Sequence, residues 1–249
     1  MQKHNVYVDK LTLNRPENIY KATLCLCFLS DIEDYEVLIG HLHDQELKYY
    51  NTLEFEKRIR SYLMGRFTAK QAVAALTGRE NLTDILIQPG IFTQPVVVSG
   101  CQNIQVSITH CDDFGAALAF PEAHPLGIDI EKINPNNADV LEKHITGAEK
   151  EIMGSCPFSF YAGLTLLWTA KEALSKVLKT GLMTPFEVFE IDGIEVFDNH
   201  SISHYKNFAQ YKVISFTIDR YMCSIVYPKK TRMQFDINPI KENFSFIEF

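Results

Sequence analysis

Two short segments of this chain carry side chains whose types and spacing could hold a divalent metal ion. Gly127–Glu131 places Asp129 and Glu131 two residues apart in an apolar run that predicts a β-strand, so both carboxylates face one side. Adjacent carboxylates repel each other unless a cation lies between them, and oxygen ligands of this kind suit Mg²⁺. Surface acids on a solvated strand edge would give the same pattern, so this segment alone leaves both interpretations open.

The second segment lies some forty residues later, on a strongly apolar helix that is predicted over about 159–179, with Ser159 as its candidate N-cap. Polar residues recur on it at spacings of three and four and form one stripe: Thr165, Thr169, Glu172, Lys176 and Lys179. Because a helix this apolar is mostly buried, the stripe must face a cleft or polar partners. The simpler alternative is an i,i+4 Glu–Lys pair on a helix surface.

A third segment, Ser107–His110, ends a predicted strand just before a polar turn. The hydroxyl of Thr109 and the imidazole of His110 could donate hydrogen bonds to a phosphate. A histidine at such a position is more often a structural hydrogen-bonding residue, and the segment alone does not exclude that role.

The elements that must position these residues follow the same order twice. A helix predicted over about 55–76, which Gly78 is placed to end, precedes a hairpin of Val106–Thr109 and Ala116–Phe120. The helix over 159–179 precedes a hairpin of Tyr211–Ile218 and Tyr221–Val226. We therefore predict an α+β fold of two similar halves, residues 1–122 and 123–249, with the active site in the cleft between them.

Composition excludes several classes of protein. The chain has 249 residues, of which 46% are apolar, and this is enough to bury a substantial core. A net charge of −7 argues against a nucleic-acid binder, and no apolar run approaches the length of a membrane helix. The six cysteines include no Cys-x-x-Cys pair, which argues against a disulfide framework, and Cys25 and Cys27 are predicted to be buried thiols and not zinc ligands. We expect a cytoplasmic protein with no signal peptide.

Taken together and in this order, the three segments resemble the motifs of the Sfp-type 4'-phosphopantetheinyl transferases. The matching residues are Ser107–His110, Gly127–Glu131 and Trp168–Lys176, and the resemblance extends from about Arg60 to Val226. It implies a pseudo-twofold α+β fold whose halves enclose coenzyme A. It also implies transfer of the 4'-phosphopantetheine arm to a serine of an apo acyl or peptidyl carrier protein, which releases adenosine 3',5'-bisphosphate.

The resemblance further implies a role for each matching residue. Asp129, Glu131 and Glu172 would bind Mg²⁺ or Mn²⁺, and Glu172 would also take the serine proton. Asp129 and Lys176 complete the implied catalytic set, with Lys176 offsetting charge on the phosphates.

The resemblance also implies which residues contact coenzyme A. They are Arg60, Arg66, Lys70, Pro95, Thr109, His110, Lys171 and Lys176. Arg60 would grip the 3'-phosphate, with help from Arg66 and Lys70, and Pro95 would lie beside the adenine. Many relatives carry a lysine just before that proline, where this chain has Gln94.

The expected partners are carrier proteins of fatty-acid, polyketide or nonribosomal peptide synthesis, without nucleic acid or membrane. The segment Ile133–Thr146 is the predicted docking surface, with Val140, Leu141 and Ile145 as apolar candidates, although these three side chains could equally face the core. A chain with two fused halves should be a monomer, unlike the trimeric holo-carrier-protein synthases of about half its size. A non-catalytic module that binds coenzyme A or a carrier protein is the remaining alternative.

Overall fold

The computed structural model describes residues 5–98, 100 and 103–245. The strands are β1 (Asn5–Asn14), β2 (Ile19–Phe28), β3 (Ile87–Pro89), β4 (Pro95–Val97), β5 (Ile104–Cys111), β6 (Phe114–Pro121), β7 (Gly127–Lys132), β8 (Ile191–Val196), β9 (Ser201–Tyr205), β10 (Tyr211–Ile218), β11 (Tyr221–Pro228) and β12 (Arg232–Gln234). The α-helices are α1 (Ile32–Leu38), α2 (Asp44–Tyr50), α3 (Glu56–Thr77), α4 (Ala138–Leu141), α5 (Gly147–Gly154), α6 (Phe160–Leu178) and α7 (Asn238–Asn243). Short 3-10 turns connect several of them.

The fold is α+β, as predicted, and the chain separates into two compact units. Unit 1 comprises Met1–Pro125 and Arg232–Phe235, and unit 2 comprises Leu126–Thr231 and Asp236–Phe249. The change of unit at Pro125 lies just after the predicted boundary at 122/123. The return of Arg232–Phe235 to unit 1 was not predicted.

Unit 1 consists of helices packed on one antiparallel sheet, whose strand order is β12-β1-β2-β6-β5-β4-β3. Helix α3 packs on β2, β5 and β6, and Gly78 ends it in the left-handed conformation that glycine adopts without strain. Strands β5 and β6 form the predicted hairpin, with Asp112 at positive φ in its two-residue turn. Cys25 and Cys27 are fully buried in the core of this unit, as predicted, whereas Cys101 lies outside the described residues.

Unit 2 has a second antiparallel sheet, in the order β7-β11-β10-β9-β8. Helix α6 packs on β7 and β11, and its residues Leu164, Leu167 and Leu174 are fully buried in the core of this unit. Ser159 is the N-cap of α6, as predicted, because its hydroxyl accepts the N–H of Ala162. Among the described residues, the helices are too short or too polar to span a membrane.

Candidate functional site

Strand β7 and helix α6 bring the acidic pair and the polar stripe of unit 2 together. Gly127 allows this approach, because a Cβ atom at that position would collide with the main-chain carbonyl oxygen of Ala173 on α6. The strand therefore lies directly against the helix backbone. Two residues further along β7, Asp129 is nearly fully buried.

Lys176 joins the two elements. Its Nζ donates to Oδ1 of Asp129 at 2.7 Å and to the carbonyl oxygen of Ile128 at 2.9 Å. Because Asp129 is nearly fully buried, this ion pair is much less screened by water than an exposed one would be. The ammonium of Lys176 is thus held beside the carboxylate of Asp129 and the main chain of β7.

Glu172 lies one helical turn before Lys176 and has a strongly perturbed acidity. Burial raises its pKa to about 7, and repulsion from Asp129 and Glu131 adds to the rise while Lys176 opposes it. A carboxyl group with this pKa can accept or release a proton near neutral pH. Asp129 and Glu131 thus lie close enough to Glu172 to raise its pKa.

These acids do not form a ready-made metal cage. In residues 5–98, 100 and 103–245, no group of three or more His, Cys, Asp or Glu side chains is arranged to hold a metal ion. The donor set nevertheless suits Mg²⁺ chemically, since carboxylate oxygens are the protein ligands this ion prefers. Metal binding by Asp129, Glu131 and Glu172 stays a prediction.

Thr169, which precedes Glu172 in the predicted polar stripe of α6, hydrogen-bonds inside unit 2. Thr169 is fully buried, and its hydroxyl lies 2.7 Å from that of Ser224 on β11, which in turn lies 2.8 Å from that of Ser215. Ser224 is also the register partner of Asp129. This hydroxyl chain links α6 to the sheet beneath it, and the sequence did not reveal it because each serine alone resembles an ordinary strand residue.

In unit 1, strand β5 presents Thr109 and His110 at its end. Thr109 is buried, and Nε2 of His110 lies 2.6 Å from the hydroxyl of Ser61 on α3. The hydrogen bond fixes the imidazole ring and makes its tautomer depend on Ser61. Ser61 was not among the predicted site residues, although it directly follows Arg60.

The predicted ligands of the nucleotide have different surroundings. Arg60 is partly exposed, pairs with Glu56 at 2.6 Å and lies over the ring of Tyr35. Arg66 lies over the ring of Tyr62, with its Nε 3.6 Å from the buried carboxylate of Glu46. Arg60 is therefore the better placed of the two for a ligand in solution.

The β3–β4 connection carries the last of these predicted ligands. Pro95 is half-buried at the start of β4. Oε1 of Gln94 accepts the N–H of Phe92, so this side chain serves the connection itself.

Lys70 and Lys171 depart from their predicted role as phosphate ligands. Both side chains are completely buried. The ammonium of Lys70 pairs with Glu46 and that of Lys171 pairs with Glu149. In this structure their charges are satisfied inside the units that contain them.

The predicted docking segment is divided between surface and core. Ile145 is buried and Leu141 packs against the core of unit 2, whereas Val140 is more than half exposed. The alternative in which the apolar residues face the core therefore applies to two of the three.

Part of this chain is similar to a known protein family. The model of a family described as the 4'-phosphopantetheinyl transferase superfamily matches residues 125–226, which contain both chemistry-bearing segments of unit 2. Residues 125–226 of this chain are thus similar to the 4'-phosphopantetheinyl transferase superfamily. This confirms the family resemblance at the level of the superfamily.

Among curated relatives, enterobactin synthase component D is similar to this chain over 134 residues. The identity is 32% for the proteins of Escherichia coli O157:H7 and Shigella flexneri and 33% for that of Escherichia coli strain K12. The match covers 52% of this chain and 60% of each relative, so it spans less than two thirds of their length.

Among solved structures, a holo-(acyl-carrier-protein) synthase from Bacillus anthracis in complex with CoA (3',5'-ADP) matches with a TM-score of 0.36 and 18% identity. That match covers 46% of this chain and 96% of the synthase.

Proposed function

We propose that this chain transfers 4'-phosphopantetheine from coenzyme A to a serine hydroxyl of an apo carrier protein. The observation that carries the proposal is the group formed by Asp129, Glu131, Glu172 and Lys176 within the segment that matches the superfamily. The serine oxygen forms a bond to the phosphorus that bears the pantetheine arm. The bond from this phosphorus to the bridging oxygen breaks, and its electron pair leaves with adenosine 3',5'-bisphosphate.

Glu172 is the proposed acceptor of the serine proton, directly or through a water molecule. A serine hydroxyl is a poor nucleophile unless a base lies within hydrogen-bond reach. The raised pKa of Glu172 supports this role, because a carboxylate with pKa about 7 is a stronger base than an ordinary one. Lys176 would offset negative charge on the pyrophosphate, since its ammonium lies on the same face of α6.

Asp129, Glu131 and Glu172 would together hold Mg²⁺ against the pyrophosphate. The bound ion would neutralise charge that develops on the phosphate oxygens. The repulsion among the three carboxylates supports this assignment, because a dication removes it.

In unit 1, Thr109 and His110 are the proposed donors to a pyrophosphate oxygen, and Arg60 is the proposed ligand of the 3'-phosphate. The fixed position of His110 against Ser61 supports its part in this set. Arg60 would exchange its exposed pairing with Glu56 for a phosphate at low cost, because exposed ion pairs are weak. Arg66 is a proposed secondary ligand of the 3'-phosphate, and Pro95 is proposed to lie beside the adenine.

The transfer is tested by incubating the protein with coenzyme A, Mg²⁺ and apo carrier proteins of the fatty-acid, polyketide and nonribosomal peptide classes. The proposal requires that the mass of at least one carrier increases by one phosphopantetheine and that EDTA prevents the increase. A calorimetric titration with coenzyme A distinguishes the enzyme from a non-catalytic binding module, since a metal-free module would bind coenzyme A equally well with and without Mg²⁺. Absence of both transfer and coenzyme A binding would refute the proposal.

A further inference from the structure

Unit 2 contains a buried ion pair that joins three of its elements. The ammonium of Lys171 on α6 donates to Oε2 of Glu149 at 2.7 Å and to the carbonyl oxygen of His144 at 2.8 Å. The carboxylate of Glu149 also accepts the N–H of Thr146, the N-cap of α5, and the N–H of Ile191, the first residue of β8, each at 2.8 Å. The Glu149–Lys171 pair therefore ties α6 to the start of α5 and to β8.

Unit 1 contains the same arrangement. The ammonium of Lys70 on α3 donates to Oε2 of Glu46 at 2.5 Å and to the carbonyl oxygen of His41 at 2.7 Å. The carboxylate of Glu46 also accepts the N–H of His43, the N-cap of α2, and the N–H of Ile87, the first residue of β3, each at 3.0 Å. Each bond of the Glu149–Lys171 pair thus has a counterpart in the Glu46–Lys70 pair.

The sequence carries this duplication as well. Residues 67–72 read Phe-Thr-Ala-Lys-Gln-Ala and residues 168–173 read Trp-Thr-Ala-Lys-Glu-Ala. In both units the buried glutamate follows, by five residues, the histidine whose carbonyl accepts from the lysine. The two segments differ at two positions, Phe67/Trp168 and Gln71/Glu172, and the second of these changes the charge. The lysine is therefore kept in the copy that lacks the acidic residue.

We propose that Glu149 and Lys171 are positioning residues that fix helix α6, and that Lys171 does not bind a phosphate of the substrate. The effect on catalysis rests on the proposed function of Glu172 and Lys176, which lie on the same helix. A fully buried ammonium bonded to a carboxylate and a carbonyl cannot reach a ligand without leaving both. Anchoring at Lys171 sets both the rotation of α6 and its position along its axis, and so aims the next residue, Glu172.

Trp168 offers a direct report on this anchor, because it is the one tryptophan of the 249-residue chain. Its ring stacks on that of Phe186 at 4.8 Å and lies 5.3 Å from the ring of His144. His144 is the residue whose carbonyl accepts from Lys171. Loss of that hydrogen bond should therefore change the fluorescence of Trp168.

The test compares Lys171→Met, Glu149→Gln and the double variant by thermal unfolding, Trp168 emission and calorimetric affinity for coenzyme A. Lys171→Met leaves a buried carboxylate unpaired, so we expect its Tm to fall by about 10 °C and its emission to shift. The double variant should regain part of both, because a neutral glutamine needs no counter-ion, while its single oxygen keeps one of the two bonds from the N–H groups of Thr146 and Ile191. Its affinity for coenzyme A should stay within about twofold of that of the wild type.

The matched control is the same set in unit 1, namely Lys70→Met and Lys70→Met/Glu46→Gln. We expect a smaller loss of Tm, because Arg66 still lies 3.6 Å from the carboxylate of Glu46. The emission of Trp168 should not change, because the Glu46–Lys70 pair belongs to the other unit. This control separates a general loss of stability from a change at α6.

Two results would overturn the inference. One is a Lys171→Met variant with unchanged Tm and emission whose affinity for coenzyme A falls tenfold or more and stays low in the double variant. The other is a double variant that is no more stable than Lys171→Met. Failure of the wild type to modify any carrier would refute the proposed function instead, since the Tm and emission measurements need no substrate.

Discussion

Replacing Gly127 with alanine should disturb the candidate site through the backbone while changing no charged group. The added Cβ would meet the carbonyl oxygen of Ala173 well inside van der Waals contact, and a methyl of Val177 at 2.8 Å. A side chain can rotate away from such a contact, but a helix carbonyl held in its own hydrogen bond cannot. Strand β7 must therefore withdraw from α6, and Asp129 moves with it.

The expected cost in stability follows from that geometry. Overpacking of a close contact typically costs about 1–3 kcal/mol, and a clash with backbone should lie near 2 kcal/mol. The catalytic cost should be larger, because a misplacement of about 1 Å can reduce a rate on the order of 100-fold. We therefore expect the transfer rate to fall more than about tenfold in a protein that still folds.

Gly147→Ala is the matched control, since a Cβ at Gly147 would meet no atom within 4 Å in the same unit. It should keep full activity and unchanged or slightly higher stability. The assays are thermal unfolding and the rate of holo-carrier formation for both variants. A Gly127→Ala protein with wild-type stability and rate would show that close packing of β7 on α6 does not position the site.

Two further predictions concern stability. Burial lowers the pKa of His124 to about 4, so the native state resists the proton that the unfolded chain binds near pH 6.5. The contribution of His124 to the free energy of unfolding should be fully present above about pH 6.5, and roughly 3 kcal/mol should be lost as the pH decreases to about 4. Denaturant unfolding across this range should show a shallower fall for His124→Leu. An equal fall in the two proteins would contradict the assignment. Ser159→Ala removes the side-chain cap of α6 and should cost about 1 kcal/mol in the same measurement, whereas Ser159→Asp should keep the stability.

The sequence predicted those elements whose signals are local. Apolar spacing gave α3 and α6 nearly to the residue, and Gly78 and Ser159 marked a helix end and a helix start through their ordinary capping chemistry. The two hairpins followed from alternating apolar residues around short polar turns. The pairing of β12 with β1 was missed, because it joins residues more than two hundred positions apart.

The candidate site was predicted in part for the same reason. The spacing of Asp129 from Glu131 and of Glu172 from Lys176 is visible in the sequence, and the structure brings Asp129 to Lys176. The family resemblance implied that Lys70 and Lys171 contact coenzyme A, whereas the structure buries both side chains in ion pairs. The sequence signal for their burial was the repeat of Thr-Ala-Lys in two helices. The cleft implied by the resemblance stays a prediction.

The most direct test of the proposed function is the intact mass of an apo carrier after incubation with coenzyme A, Mg²⁺ and either Glu172→Gln or Glu151→Gln. Glu151 is an exposed residue of α5 and serves as the matched control. We predict a mass gain of one phosphopantetheine with the wild type and with Glu151→Gln, and none with Glu172→Gln. Equal modification by Glu172→Gln and Glu151→Gln would contradict the role assigned to the acids of β7 and α6.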